Sequence, residues 1–251
     1  MVFAALPFER RAVSRALGAS RSPVAPQTWS IGLAGGRSGV LIQIGMGPVR
    51  ARAAALAAPA AKAWAMMGCA GALVGWLRPG QAVAADAVVV LDDAARVAER
   101  IPAASAPFAA QAARHGVRVI TGPIASSPVV LTTLDSKAAV ERDSGALVVE
   151  MESGALAAVA RDRGVPFHAL RVVLDLADES LPFGPDVVDE RTGTVRMGRA
   201  IRELAPPSRW PEVVRLLRGQ RAAARALGEL AQVIADEGLP ETALTRRAAT
   251  A

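Results

Sequence analysis

The chain has 251 residues, 52% of them hydrophobic and 21% charged, with a mean hydropathy of +0.30. That much apolar side chain excludes a predominantly disordered state and suffices for one large core. The single cysteine, Cys69, excludes an internal disulfide, and two histidines, His115 and His168, leave little for a zinc site. Basic residues outnumber acidic ones 29 to 23, and all but two of the 29, Lys62 and Lys137, are arginine. This excess reads either as compositional bias or as a surface for polyanions.

In chain order, short apolar runs alternate with amphipathic stretches. The N-terminus places Arg10 and Arg11 after a very short apolar run, the reverse of a secretory signal, so the expected location is cytoplasmic. Val2–Leu6 predicts a strand, and Phe8–Leu17 a helix with Phe8, Val13 and Leu17 on one side. Trp29–Leu33 and Val40–Ile44 flank a glycine-rich turn and predict a hairpin. Gly45-Met46-Gly47-Pro48 opens an alanine-rich helix to about Ala58, and Trp64–Met67 predicts a buried strand ending at Gly68-Cys69-Ala70-Gly71. The most apolar segment, Ala53–Leu77, is broken by Pro59, Lys62, Gly68, Gly71 and Gly75, and a membrane span needs about 20 uninterrupted apolar residues.

Further along, Ala82–Leu91 predicts a strand, Ala103–His115 a helix, Val117–Thr121 a strand and Leu134–Arg142 a short helix. Leu147–Val149 is a strand entering a helix at Met151–Arg163, which Gly164 closes in a left-handed cap. Phe167–Leu174 is an apolar strand interrupted by His168 and Arg171; Pro182–Pro207 reads as loop, and a helix pair covers Trp210–Glu237. Strands apolar on both faces, alternating with helices, predict an α/β fold. The expectation is one domain over the whole chain, a central mixed, twisted sheet flanked by helices.

Gly45–Arg50 follows a strand and opens a helix, where backbone N–H groups can face an anion or a sugar. Arg50 stands where a dinucleotide fingerprint needs its third glycine, and Gly68–Gly75 lacks the Gly-Lys-Ser/Thr of a phosphate loop; a tight turn without a ligand explains these glycines equally well. The carboxylates say more. Glu150-Met151-Glu152 lies where an apolar strand becomes a helix, Asp175 ends the next apolar strand, and Glu9 follows the first. Ligands of α/β sheets bind beyond the carboxyl ends of strands, so the three positions are expected to share one crevice. Each has a structural alternative, with Glu152 as a helix cap and Asp175 as a turn former. Cys69 reads as a small buried residue, His168 as a core histidine, and Trp29, Trp64, Trp76 and Trp210 are too dispersed for a nucleic-acid stacking platform.

The run Val148-Val149-Glu150-Met151-Glu152-Ser153-Gly154-Ala155, then Gly164-Val165-Pro166-Phe167, then Leu170-Arg171-Val172-Val173-Leu174-Asp175-Leu176-Ala177-Asp178 resembles the nucleoside phosphorylase and nucleosidase superfamily. Upstream, Gly45-Met46-Gly47, Gly68-Cys69-Ala70-Gly71-Ala72-Leu73 and Leu77-Arg78-Pro79-Gly80-Gln81-Ala82-Val83 follow in the expected order. The resemblance covers residues 2–180 and is closest to the hopanoid-associated phosphorylases, or adenosylhopane nucleosidases. That narrower likeness rests on Asp178-Glu179-Ser180-Leu181-Pro182, Gly193-Thr194-Val195-Arg196 and the arginine-rich last helix.

The resemblance implies cleavage of an adenine nucleoside. Asp175, protonated, donates toward adenine N7; Glu152, ionised, accepts the ribose 2′- and 3′-hydroxyls, its place at a helix start helping to keep it ionised. Glu9 orients or deprotonates the attacking water, the Met151 backbone lies along the ribose, and Gly47, Ala70 and Gly71 complete the substrate contacts. No cofactor or metal is implied. Phosphate is a candidate co-substrate, with Arg50 and Arg37 available, although Glu9 favours water. Leu174 departs from the family's serine before the aspartate; its apolar side chain is expected to raise the Asp175 pKa. The same resemblance implies a homo-oligomer.

Arg215, Arg218, Arg221 and Arg225 share one helix face, and Val213, Leu216, Leu217, Ala224, Leu227, Ala231 and Ile234 the other. This is either a solvated face or a contact with an anionic membrane, which suits a lipid-linked adenosine. An open apolar groove for the 5′ group is expected along Pro182–Pro207. The leading expectation is an adenosylhopane nucleosidase. The alternatives are a 5′-methylthioadenosine/S-adenosylhomocysteine nucleosidase or, since Leu174 departs from the pattern, a non-catalytic nucleoside- or lipid-binding protein. A nucleic-acid partner lacks any motif.

Overall fold

The structure, a computed structural model, describes residues 1–22, 25–179, 188–189, 194–195 and 210–240. Strand β1 (Val2–Ala4) leads into helix α1 (Pro7–Ala16), with Pro7 at the first helical position, where its missing N–H costs nothing. β2 (Ser20–Arg21), β3 (Thr28–Leu33) and β4 (Arg37–Gln43) form an antiparallel ribbon that contains the predicted hairpin. Then follow α2 (Pro48–Ala57), β5 (Trp64–Ala72), β6 (Ala82–Leu91), β7 (Val97–Pro102) and α3 (Ala106–Arg114). The chain continues through β8 (Val119–Ser126), α4 (Leu134–Ser144), β9 (Val148–Glu150), α5 (Ser153–Asp162) and β10 (Phe167–Asp175). A small pair, β11 (Val188–Asp189) and β12 (Thr194–Val195), and helix α6 (Trp210–Glu237) complete it.

Five strands close on themselves. β5 runs parallel to β10, β10 antiparallel to β6, β6 parallel to β8, β8 parallel to β9, and β9 antiparallel to β5. From this ring β1, β4, β3 and β2 extend as an open wing, and β7 hairpins onto the second half of β6. The sheet is therefore mixed and flanked by helices, as the pattern predicts; its closure into a ring was not predicted.

Side chains alternate between two cores with the period of two that strands impose. Phe3, Trp64, Met66, Ala169 and Val173 face α2 and α5, and Phe3 meets Trp64 edge to face at 5.4 Å. Val2, Ala65, Met67, Leu170 and Val172 face the buried residues of α1, α3 and α6. A smaller cluster around Val89, Leu131 and Val140 seats α4.

The predicted boundaries need four corrections. β5 does not end at Gly68 but runs to Ala72. β8 runs to Ser126, with Pro123 lying where the β6 register skips between Ala85 and Val88, so its missing donor falls at a gap in the ladder. β7 was missed because it is exposed except at Ile101 and carries no apolar alternation. The helix pair is one continuous helix, α6, because isolated glycines at 219 and 228 do not break it. The arginines at 215, 218, 221 and 225 do share its exposed side. Leu217, expected on the packed side, is 48% exposed, whereas Leu227, Ala231 and Ile234 are buried.

Gly219 is where α6 meets β10: a Cβ there would lie 2.6 Å from the Leu174 carbonyl oxygen. Gly219→Ala is expected to lower the thermal midpoint. The clash costs about 1–3 kcal/mol, more than the roughly 1 kcal/mol by which alanine exceeds glycine inside a helix. Thermal unfolding followed by circular dichroism checks this.

Candidate active site

The predicted carboxylates converge at the carboxyl ends of β1, β5, β9 and β10. Glu9 sits on the first turn of α1 and is 2% exposed. Its Oε2 accepts the N–H groups of Leu6 (2.8 Å) and Ala5 (3.2 Å), and its Oε1 accepts that of Cys69 on β5 (2.7 Å). Burial raises its pKa, opposed by these N–H groups and by nearby Arg171. The carboxyl is thus held in a fixed position and desolvated.

Glu150 and Glu152 divide the work at the start of α5. The expected cap, Glu152, does not cap the helix. Glu150 accepts the N–H groups of Glu152 (3.0 Å) and Ser153 (2.9 Å), which leaves the Glu152 side chain to cross to Gly47. There Glu152 Oε1 accepts the Gly47 N–H at 2.9 Å. Gly47 precedes α2 with φ 96°, a left-handed conformation that suits glycine, and its N–H is committed to Glu152.

Arg171 of β10 lies beneath them, fully buried. Its Nη2 donates to Glu150, to Glu152 Oε2 (3.3 Å) and to Ser153 Oγ (3.0 Å). One guanidinium cannot balance three buried carboxylates, and the Glu152 pKa is raised to about 8, chiefly by burial, with the charge of Glu9 adding to it. The expectation that its helix start keeps Glu152 ionised is therefore corrected: burial outweighs the local backbone.

Asp175 is the last residue of β10. The β5–β10 register sets Arg171 opposite Gly68, slips at Leu174, and sets Asp175 opposite Gly71. A Cβ on Gly68 would lie 2.7 Å from Arg171 Nη1, and one on Gly71 would lie 3.0 Å from Asp175 Oδ2. Gly68 and Gly71, read as part of a tight turn with or without a ligand, are strand positions left empty for these side chains. Leu174 packs into the α6-facing core and is not the neighbour of the Asp175 carboxyl that its position in sequence suggested. That neighbour is Lys137 of α4, whose Nζ donates to Asp175 Oδ2 at 2.6 Å. Burial raises the Asp175 pKa, and Lys137 opposes it.

The other expected contacts fall as follows. Met151 is half-buried between the two glutamates, and Ala70 points into the α2- and α5-facing core, so it can offer a ligand only backbone. Arg50 packs over Gly45, near the crevice. Arg37 lies at the start of β4, at the opposite end of the sheet, and donates to Ala34 O and Glu237 O; it is not available to a phosphate in the crevice. The Cys69 thiol pKa is raised by burial and by Glu9, which leaves it unreactive. His168 is buried, lowered to about 4, and its Nε2 meets Pro240 O at 2.9 Å. Among the described residues no group of three or more His, Cys, Asp or Glu is arranged to hold a metal ion. Sequence reasoning missed Lys137, Arg171 and the capping role of Glu150. The available signals were a lysine in a chain that otherwise uses arginine and a charge inside an apolar strand.

The model of the phosphorylase superfamily matches residues 1–204. A comparison with curated proteins finds no match. Among solved structures, the chain is similar to the 5′-methylthioadenosine/S-adenosylhomocysteine nucleosidase of Neisseria meningitidis in complex with methylthio-immucillin-A. The TM-score is 0.69 at 20% identity, over 93% of this chain and 96% of that one. Futalosine hydrolase of Helicobacter pylori gives 0.69 at 17% identity, over 93% and 95%. The 5′-methylthioadenosine/S-adenosylhomocysteine nucleosidase of the same organism gives 0.67 at 18%, over 91% and 94%.

Glu152 gives the site a signature in stability. Its pKa is higher in the folded chain, about 8, than the ordinary 4.5, so its contribution to folding is fully present below about 4.5 and is lost as pH rises through about 8. Glu152→Gln does not titrate. The stability of the wild type relative to this variant is expected to fall between about pH 5 and pH 8. Urea unfolding across that range checks it, and a constant difference would mean that Glu152 is ionised throughout.

Proposed function

The chain belongs to the phosphorylase superfamily, and from that premise we propose that it hydrolyses the N-glycosidic bond of an adenine nucleoside with a large apolar 5′ group, releasing adenine. An adenosine carried on a hopane lipid is the substrate this reading favours. The observation that supports it is a set of three carboxyls at neighbouring strand ends, Glu9 and Glu152 buried and Asp175 partly exposed, in three different settings. Glu9 is held by backbone N–H groups, Glu152 retains a proton beside Arg171, and Asp175 is paired with Lys137.

In this reading Asp175 meets N7 of the base as electrons from the breaking C1′–N9 bond flow into the purine. Glu152 accepts hydrogen bonds from the ribose hydroxyls, which favour its ionised form and draw off its proton as substrate binds. Glu9 takes a proton from the attacking water, with a pKa raised toward the range a general base needs. Water is favoured over phosphate because the crevice is lined with carboxyls and its buried arginine is already engaged by Glu150 and Glu152. Sequence likeness supports the lipid-linked substrate; the expected 5′ groove along Pro182–Pro207 lies almost wholly outside the described residues.

A second reading, a nucleosidase for 5′-methylthioadenosine and S-adenosylhomocysteine, is supported by the likeness in fold to nucleosidases of that kind. Assembly as a homo-oligomer is part of either proposal. No helix among the described residues is long and apolar enough to cross a membrane. Peripheral contact with an anionic membrane is supported by the exposed arginines of α6 beside exposed Val214 and Leu217.

Adenine release from 5′-deoxyadenosines bearing long alkyl groups is expected without added phosphate and with higher kcat/KM than from 5′-methylthioadenosine. Chromatographic quantification of adenine decides this: dependence on phosphate would make the enzyme a phosphorylase, and a preference for the methylthio substrate would select the second reading. Reversing Arg218, Arg221 and Arg225 to glutamate is expected to abolish co-sedimentation with phosphatidylglycerol vesicles. Unchanged binding would leave α6 with a packing role only.

A further inference from the structure

Of the two lysines, Lys62 is exposed and Lys137 is 2% exposed. An ammonium has three N–H groups to satisfy when it leaves water. Lys137 directs all three at the segment that carries Asp175 or follows it: Asp175 Oδ2 at 2.6 Å, Leu176 O at 2.8 Å and Glu179 O at 3.0 Å. No other element of the crevice receives a bond from it. Two further titratable groups influence the pair. Cys69 on β5 carries a raised thiol that feels the Asp175 charge. Glu179 on the exit loop raises the Asp175 pKa, while its carboxylate accepts the Leu176 N–H at 3.1 Å and Arg215 of α6 at 3.1 Å. The contact at 2.6 Å places a cation on the one carboxyl that the proposed reaction uses as an acid.

Resting on the reading that Asp175 meets N7 of the base, we propose that Lys137 is the positioning residue that holds the proton Asp175 delivers. The resting pair is an ammonium and a carboxylate. As C1′–N9 breaks, its electron pair passes into the purine and N7 becomes basic. The Lys137 ammonium passes one proton to the Asp175 carboxylate as that carboxyl passes one to N7, so Asp175 ends as the carboxylate it began as and Lys137 is left as a neutral amine. Water supplies hydroxide to C1′ and a proton to Glu9, and solvent carries that proton's equivalent back to Lys137. The sum is nucleoside plus water giving base plus sugar, with no further reactant. With the ammonium against it at 2.6 Å, Asp175 is reprotonated within the pair, so proton delivery does not depend on the carboxyl holding its own proton at rest.

The test is Lys137→Met, with kcat measured against pH for adenine release from a 5′-alkylthioadenosine and for nitrophenolate release from 4-nitrophenyl riboside. Nitrophenolate leaves as a stable anion and needs no acid. In the variant the alkaline limb of adenine release is expected to move down by on the order of two pH units. The ratio of adenine to nitrophenolate release above that limb is expected to fall about 100-fold. Lys137→Arg keeps the charge but does not give up its proton, and the same fall in ratio is expected, which guards against a misfolded methionine variant. If both rates fall together with the limb unmoved, Lys137 only ties down the exit loop and the proposal is overturned. A wild-type enzyme that releases adenine from no nucleoside overturns the hydrolase reading itself, and this assignment with it.

Discussion

The guanidinium of Arg171 is fully buried between Glu9, Glu150 and Glu152, and the geometry of the crevice depends on that placement. A buried carboxylate is costly without a partner, and so is a buried arginine. Together they are tolerated because each oxygen and most N–H groups find a partner in the same small volume. The arrangement is nevertheless short of positive charge. Burial, with the charge of Glu9 adding to it, keeps a proton on Glu152 near neutrality, even though Gly47 donates to it.

Space for these groups comes from β5. Large side chains at Gly68 or Gly71 would collide with Arg171 or Asp175. The parallel β5–β10 register sets each polar residue over a glycine, and the slip at Leu174 is what carries Asp175 to Gly71. Leu174 itself is absorbed on the other side, where its carbonyl meets α6 at Gly219. The helix that carries the exposed arginines therefore also supports the strand end that carries Asp175.

Much of the candidate site was legible in the sequence because the residues proposed for it lie at transitions that pattern alone reveals. Glu9, Glu152 and Asp175 each follow an apolar strand, and that rule alone located them. Their partners were hidden by distance along the chain. Lys137 reaches Asp175 across 38 residues and Arg171 reaches Glu150 across 21, and no local period links them. Nearest-neighbour reasoning misled at two points. It assigned the cap to Glu152 although Glu150, two residues earlier, reaches the exposed N–H groups, and it let Leu174 influence Asp175 although adjacent strand residues face opposite ways. Glycines at 68 and 71 read as strand breakers for the same reason, since the side chains that need their space come from β10.

The sequence by itself determined the α/β alternation, the two-sided apolar strands and the three carboxylate positions, because hydrophobic period and strand-end placement are local properties. Tertiary structure alone decided that five strands close into a ring, that Arg171 sits beneath the glutamates and that Lys137 stands against Asp175. Those outcomes depend on strand register and on helix placement across the sheet. The protonation of each carboxyl follows from them, since desolvation and the nearest cation are properties of the folded crevice and not of any segment of the chain.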